Sequence, residues 1–236
     1  MFRFKQFTIR QERAAMKVCT DACVLGAWAD VGAGGQLLDI GTGTGLLALM
    51  AAQRNQTALI DAVEIDGDAF GQAVDNVADS PFASRVRVYQ TSIQAFAQNS
   101  AQAQQYDRIL TNPPFYTNQL RSPDAVVNRA LHTGDLPFEA LVLAVQQLLK
   151  PGGQWWVLLP SYEMGLLTAL AQSIGLQPFR QLDLRHHAQK PVFRRVTGFS
   201  QREGTCETHE LNIYETDGRT YTDAFRNLLR DYYLIF

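Results

Sequence analysis

Two stretches of this 236-residue chain hold residues whose types and spacing can do chemistry. One is Leu37-Leu38-Asp39-Ile40-Gly41-Thr42-Gly43-Thr44-Gly45, followed by the apolar run Leu46-Leu47-Ala48-Leu49-Met50. It reads as a short buried strand, a glycine-rich turn and a helix. Glycines supply the positive φ of such a turn and let a ligand approach the backbone closely. The helix start presents unpaired N–H groups. The other stretch is Tyr106-Asp107-Arg108-Ile109-Leu110-Thr111-Asn112-Pro113-Pro114-Phe115. It reads as a strand that Pro113 and Pro114 end, because proline cannot continue a central ladder and forces an extended turn. The Asn112 amide offers an acceptor and donors, and the Pro113 carbonyl is a second acceptor. Those two oxygens can take both hydrogens of a planar amino group while Phe115 stacks on the ring that carries it. That arrangement suits methyl transfer to an exocyclic or amide nitrogen.

The glycine spacing narrows the ligand. A G-x-G-x-x-G turn leaves room for a pyrophosphate over the helix end. Here Gly41, Gly43 and Gly45 come at alternate positions, with Leu46 in the sixth place. Asp39 adds a carboxylate beside the turn, which repels a pyrophosphate and can hold an ammonium group, directly or through water. S-adenosylmethionine (SAM) has a sulfonium, an ammonium and no phosphate. The pattern Asp39-x-Gly41-x-Gly43-x-Gly45 resembles the SAM-binding motif of the Rossmann-like methyltransferases. Glu64 lies 19 residues past Gly45, near the end of the next strand, where an acidic side chain can accept both ribose hydroxyls. NAD and SAM folds share that device, so Glu64 supports a nucleoside without choosing between them.

The elements that must position these residues alternate. After the first strand and helix, Leu59 to Asp66 reads as a second parallel strand, with Asp66 capping a helix over 67–79. Val86–Gln90, Tyr106–Thr111 and Trp155–Pro160 read as further strands. Helices are expected from a Thr20 or Asp21 cap to Trp28, over 136–150 and over 164–174. The tail is β-rich near 179–187, 192–200 and 207–214. Two of these segments suit a reversed final pair, and the third an addition or edge strand. The alternation predicts an α/β fold over 1–236 as one domain, with a mostly parallel sheet covered by helices on both faces.

Composition bounds the rest. The chain is 46% hydrophobic with a formal net charge of −2, which permits a sizeable core and argues against a general nucleic-acid coat, though not a local basic patch. Three cysteines suit no disulfide framework. Cys19 and Cys23 sit four apart, as on one helix face, with no neighbouring ligands, so no metal is expected. No apolar run approaches ~18–20 residues, and Met1-Phe2-Arg3-Phe4-Lys5-Gln6 lacks a signal core. A soluble, cytoplasmic and monomeric protein with no membrane and no obligate protein partner is expected.

Three regions bear on nucleic acid. Residues 1–17 interleave aromatics with Arg3, Lys5, Arg10, Arg13 and Lys17, which suits either base stacking and phosphate contact or a hairpin covering the sheet edge. The tail gathers Arg180, Arg185, His186, His187, Lys190, Arg194, Arg195 and Arg202, which suits a phosphate backbone or outward charges at a sheet edge. His186 and His187 are strand neighbours facing opposite ways, so they do not share a metal. Between them, 116–135 is a long loop beside the candidate site, a possible substrate lid with Arg129 on a phosphate. A lone loop histidine such as His132 is more often solvated than catalytic.

Phe4-Lys5-Gln6-Phe7, Ala15-Met16-Lys17-Val18-x-Thr20-Asp21 and Leu25-Gly26-Ala27-Trp28 resemble the N-terminal signature of bacterial tRNA adenine-N6 methyltransferases that act on adenine-37 of valine tRNA. The resemblance continues through Leu38-Asp39-Ile40-Gly41, Asp61-Ala62-Val63-Glu64, Asn112-Pro113-Pro114-Phe115 and Tyr232-Tyr233-Leu234. It implies SAM as donor, tRNA as partner and a seven-stranded Rossmann-like sheet with an antiparallel C-terminal pair. It also implies that Thr20 and Asp21, in an N-terminal arm and helix over 1–30, contact SAM. Relatives tend to carry an acidic residue on the adenine amine where this chain has Ser92, which keeps hydrogen bonding but no charge. With the target adenine flipped out of its stack, RNA would dock through Arg3, Lys5, Arg129, Arg185, Arg194 and Arg195. Asn-Pro-Pro-Phe equally serves guanine-N2 of ribosomal RNA or a glutamine amide. An NAD-linked oxidoreductase and a non-catalytic SAM- or RNA-binding protein complete the alternatives.

Overall fold

The computed structural model describes residues 1–114, 136–202 and 204–236. Among these, an eight-stranded sheet runs in the order β10-β8-β9-β7-β6-β3-β4-β5. Its strands are β3 (Gln36–Ile40), β4 (Leu59–Glu64), β5 (Val86–Gln90), β6 (Tyr106–Thr111), β7 (Leu149–Leu159), β8 (Gln177–Arg185), β9 (Val192–Ser200) and β10 (Glu207–Asn212). The helices are α1 (Thr20–Trp28), α2 (Leu46–Arg54), α3 (Gly67–Ala78), α4 (Ile93–Ala97), α5 (Phe138–Leu148), α6 (Ser161–Ser173) and α7 (Asp223–Leu229). β3 to β7 are mutually parallel, β9 is antiparallel to both β7 and β8, and β10 runs parallel to β8 at the edge. The sheet thus has eight strands rather than seven. The antiparallel pair is β8 and β9, and the third tail segment extends the sheet as β10.

Alternation explains how the sheet is covered. Leu37, Leu110 and Trp156 face one apolar cluster with α1, α2 and α7, while Leu38, Ile109 and Trp155 face the other with α4, α5 and α6. A strand buried on both faces tends to a continuous apolar run, and β3 is one, Leu37, Leu38 and Ile40, interrupted only by the buried Asp39. β7 begins at Leu149, earlier than its apolar core suggests, because Leu149 pairs with Tyr106 across an irregularity in the β6 register. The N-terminus forms the expected small hairpin, β1 (Phe2–Arg3) with β2 (Thr8–Ile9), as a sheet of its own. Its aromatics pack on Tyr232 and Tyr233, and Phe7 packs on Phe82, which precedes the edge strand β5. Asp66 caps α3 as expected, its Oδ1 accepting from the Ala69 N–H at 2.8 Å. Neither Thr20 nor Asp21 is the cap of α1: both lie in its first turn, and the cap position is Cys19, which makes no side-chain cap bond. No helix among the described residues is long and apolar enough to cross a membrane.

Candidate active site

The carboxyl ends of β3, β4, β5 and β6 open onto a cavity of about 520 Å³. Its floor is Gly41–Thr44, its sides are Glu64–Gly67 and Thr91–Gln94, and Asn112, Pro113 and Pro114 close one end. The opposite wall is an extended strap, Ala14 to Cys19.

The glycine turn is tied down from within. Gly41 and Thr42 donate their N–H groups to the Val63 carbonyl at 2.9 and 3.0 Å, and Gly45 donates to Thr42 at 3.0 Å. The Gly43 N–H donates to Glu64 Oε2 at 2.8 Å. The turn therefore offers few N–H groups to a phosphate, and a carboxylate already sits among them. Gly41 and Gly43 have φ of +69° and +58°, and a Cβ built on either meets nothing within 4 Å. The floor is a backbone cradle that any side chain would begin to fill.

Asp39 lies beneath the turn, not in the cavity. It is 1% exposed. Its Oδ2 accepts from Thr42 Oγ1 at 2.5 Å and from the Ala48 N–H at 3.1 Å, bracing the turn against the start of α2. Burial pushes its carboxyl up to about 7, against those two hydrogen bonds, and Oδ1 has no hydrogen-bond partner. Direct contact of Asp39 with a ligand's ammonium group is thus replaced by a supporting role. Glu64 does reach the cavity wall. Its second oxygen accepts from the Asp66 N–H at 2.9 Å, so each oxygen has one bond and a further lone pair for a hydroxyl. The open cradle, the remaining lone pairs of Glu64 and the shortage of free N–H groups fit SAM and do not suit a pyrophosphate. Among the described residues no group of His, Cys, Asp and Glu is arranged to hold a metal.

Ser92 lines the cavity and caps α4, its Oγ accepting from the Ala95 N–H at 3.1 Å while its hydroxyl proton stays available. Asn112 is half-buried, and its side chain has no hydrogen bond among the described residues. Beneath it Thr111 is fully buried, its Oγ1 accepting from Trp155 Nε1 at 3.0 Å, which fixes the end of β6 against β7.

The strap was not resolved by sequence reasoning into functional positions. Asn76, buried in α3, accepts from the Arg10 N–H at 2.9 Å and donates to the Arg10 and Thr44 carbonyls at 2.8 and 2.9 Å. It clamps the strap to the glycine turn. Lys17 Nζ donates to the carbonyls of Gln11 and Ala14, and Arg13 pairs with Asp75 on α3. Nothing in the helical pattern of α3 marks Asn76, because its partners are far away in sequence.

Other expected contacts lie elsewhere. Thr20 and Asp21 do not line the cavity, and the Asp21 carboxylate pairs with Arg194 at 3.0 Å. The expected RNA contacts are largely engaged within the fold. Arg195 pairs with Asp183 at 2.6 Å, Arg185 with Glu210 at 3.4 Å, and Lys5 Nζ donates to the Arg230 carbonyl and the Phe236 oxygen. Lys5 also lies beside Gln53 and Arg54 at the far end of α2 from the glycine turn. The hairpin bearing Arg3 and Lys5 is therefore remote from the cavity. Arg202 follows β9 on the sheet edge opposite the cavity. Phe115, Arg129, His132 and the lid reading of 116–135 lie outside the described residues.

Comparison with known proteins adds a third line. Residues 24–176 match the Methyltransferase small domain family. A protein of Dyadobacter fermentans named tRNA1(Val) (adenine(37)-N6)-methyltransferase is 48% identical, covering 100% of this chain and 98% of that relative. One of the same name from Bacteroides fragilis is 39% identical over 99% of this chain and 97% of its own length. Among solved structures, a predicted O-methyltransferase from Agrobacterium tumefaciens shares the fold, with a TM-score of 0.68 at 17% identity over 89% of this chain and 96% of that one.

Proposed function

This chain belongs to the Methyltransferase small domain family, among the tRNA1(Val) (adenine(37)-N6)-methyltransferases, and from that premise we propose that it methylates N6 of adenine-37 in valine tRNA, with SAM as donor. The observation that carries the chemistry is the Asn112 amide, without a hydrogen-bond partner among the described residues, at one end of the cavity whose floor is the glycine cradle. SAM supplies a methyl group made electrophilic by its sulfonium. When SAM is bound, Gly41 and Gly43 would let it approach the backbone, and Glu64 would accept from its ribose hydroxyls. Asn112 Oδ1 and the Pro113 carbonyl accept the two hydrogens of the target amine. Held this way, the nitrogen lone pair is drawn out of conjugation with the ring and becomes available to attack. Pro113 and Pro114 fix the backbone so that these acceptors need no reorganisation during the reaction. Positioning at roughly 3–3.5 Å supplies much of the acceleration. As the nitrogen–methyl bond forms the sulfur–methyl bond breaks, S-adenosylhomocysteine is the leaving group, and the methylated nitrogen, acidic only at that point, gives its proton to water, so no prior general base is needed. Ser92 donates its hydroxyl proton toward the adenine end of the donor. We infer an enzyme that acts in the cytoplasm as one domain over 1–236, the reading that a tRNA substrate supports.

The test is Asn112→Ala with labelled SAM and tRNA from a strain lacking the gene. The expected result is loss of N6-methyladenosine in valine tRNA with the SAM-induced thermal shift retained. Loss of that shift would assign Asn112 to the donor site, and label in ribosomal RNA or protein would overturn the substrate.

A further inference from the structure

Resting on the tRNA reading, we propose that the turn joining β8 to β9, residues 186–191, docks the RNA beside its target base, with His186 as a stacking platform and Lys190 as a phosphate contact. The argument begins with topology. β6 and β7 are parallel, β9 opposes β7, and β8 opposes β9, so the carboxyl end of β8 shares a sheet edge with Asn112. β8 lies three strands along from β6. At ~4.8 Å per strand the turn is ~14 Å to the side of β6, and the register, which sets Thr111 level with Gln181, carries His186 a further ~13 Å along the strands, so it stands ~20 Å from Asn112. Stacked nucleotides rise ~3.4 Å each, so RNA roughly six nucleotides from the target reaches it.

The turn is built, not loose. Arg185 Nη1 donates to the Lys190 carbonyl at 2.8 Å, the Lys190 N–H donates to the His187 carbonyl at 2.9 Å, and the Tyr214 N–H donates to the His186 carbonyl at 2.8 Å. His186 is exposed, yet its ring stacks on Phe193 with centroids 4.2 Å apart and planes 9° apart. One face is thus braced and the ring is presented flat to solvent. Aromatic faces of this kind stack single-stranded bases irrespective of sequence. Lys190 is exposed, and its ammonium has no partner among the described residues, whereas Arg185, Arg194 and Arg195 are each paired with a carboxylate. Those pairings change the role of the basic tail. Arg180, Arg185, Arg194 and Arg195 hold β8, β9 and β10 to their surroundings, and at the cavity end of the sheet the charge left for a phosphate among the described residues of the tail sits at the tip of the turn. A flat ring beside an unneutralised ammonium suits a nucleotide better than a protein surface.

The experiment uses the full chain and unmodified valine tRNA. His186→Ala is expected to raise the tRNA KM ~5- to 100-fold, the range of one lost base stack, with the SAM-induced thermal shift unchanged, and His186→Phe to restore it. Lys190→Ala is expected to lower the slope of log binding constant against log salt by ~0.7–0.9, the signature of one lost phosphate contact. Arg202→Ala removes equal charge from the opposite sheet edge and should change neither. An Arg202→Ala effect as large as that of Lys190→Ala would overturn the proposal. So would unchanged tRNA KM and salt slope in His186→Ala and Lys190→Ala while the wild type methylates tRNA. Wild-type protein that transfers no methyl to tRNA would instead overturn the substrate reading.

Discussion

Asp39 shows how one residue can be legible as important and misread in role. Its place two residues before Gly41 marks it as part of the turn. Whether its carboxylate faces a ligand or the core depends on the pleat of β3 and the path of the backbone, which no local pattern fixes. The structure buries it, with Thr42 and Ala48 as donors. Burial raises its carboxyl from 3.8 to about 7, so between those values the folded chain keeps a proton that the unfolded chain has released. The stability this group contributes is therefore full below about pH 4 and is lost as pH rises toward 7. Asp39→Asn should gain stability relative to wild type across that window. Thermal melts of both proteins without SAM at pH 4.5 and 7.5 check this, and a difference independent of pH would refute it. At Gly43 the expectation is different in kind. Alanine there must adopt φ near +58° and begins to fill the cradle. Gly43→Ala should cost about 1–2 kcal/mol of stability and weaken SAM binding measured by calorimetry. Wild-type SAM affinity in that variant would show that the cradle is not the donor site.

The strap is an element only by virtue of its partners. Residues 10–19 make no helix or sheet that walls the cavity, yet Asn76, Gln72 and Asp75 on α3 hold them in place. Sequence patterns reach regular elements because burial imposes a period on them. Thus β3, β4, β6 and the glycine turn were legible, and so was the Asp66 cap. A strap held by hydrogen bonds across some 60 residues has no period, and its cavity-lining role was invisible apart from a family resemblance. Asn76→Ala leaves the Arg10 N–H and C=O and the Thr44 carbonyl without their buried partner, costing about 1–3 kcal/mol. Beyond that loss, the SAM KM should rise several-fold while kcat at saturating SAM stays near wild type, because Asn76 touches neither Asn112 nor Pro113. Steady-state kinetics below the variant's melting range separate the cases. A fall in kcat with unchanged SAM KM would mean the strap serves the acceptor instead.

At the scale of the whole molecule, the two ends of the chain are packed on each other. Phe4 is 4% exposed and meets Phe2, Phe7, Tyr232 and Tyr233, with a backbone bridge from Phe4 to Tyr233. The aromatic–basic start of the sequence suited RNA contact equally well. The structure turns those aromatics inward, since stacked rings in a shared core bury far more apolar surface than rings lying in solvent. The basic tail followed the same logic, Arg180, Arg185 and Arg195 drawn to carboxylates on neighbouring strands and Arg194 to Asp21 on α1, in a register that a one-dimensional reading does not give. The site and the sheet were thus readable where one strand–turn–helix unit held the information, and unreadable where distant segments meet. The aromatic joint also anchors the strap, because Arg10 follows directly from Ile9 at the end of the hairpin. Phe4→Ala should cost ~3–5 kcal/mol, a drop in Tm on the order of 10 °C for a chain of this length. Well below that Tm, methyl transfer should retain the wild-type kcat, since the joint lies at the far end of α2 from Asn112. Calorimetry paired with turnover at low temperature distinguishes the two. A variant that keeps its Tm but loses turnover would mean that the hairpin acts on the site rather than on the fold.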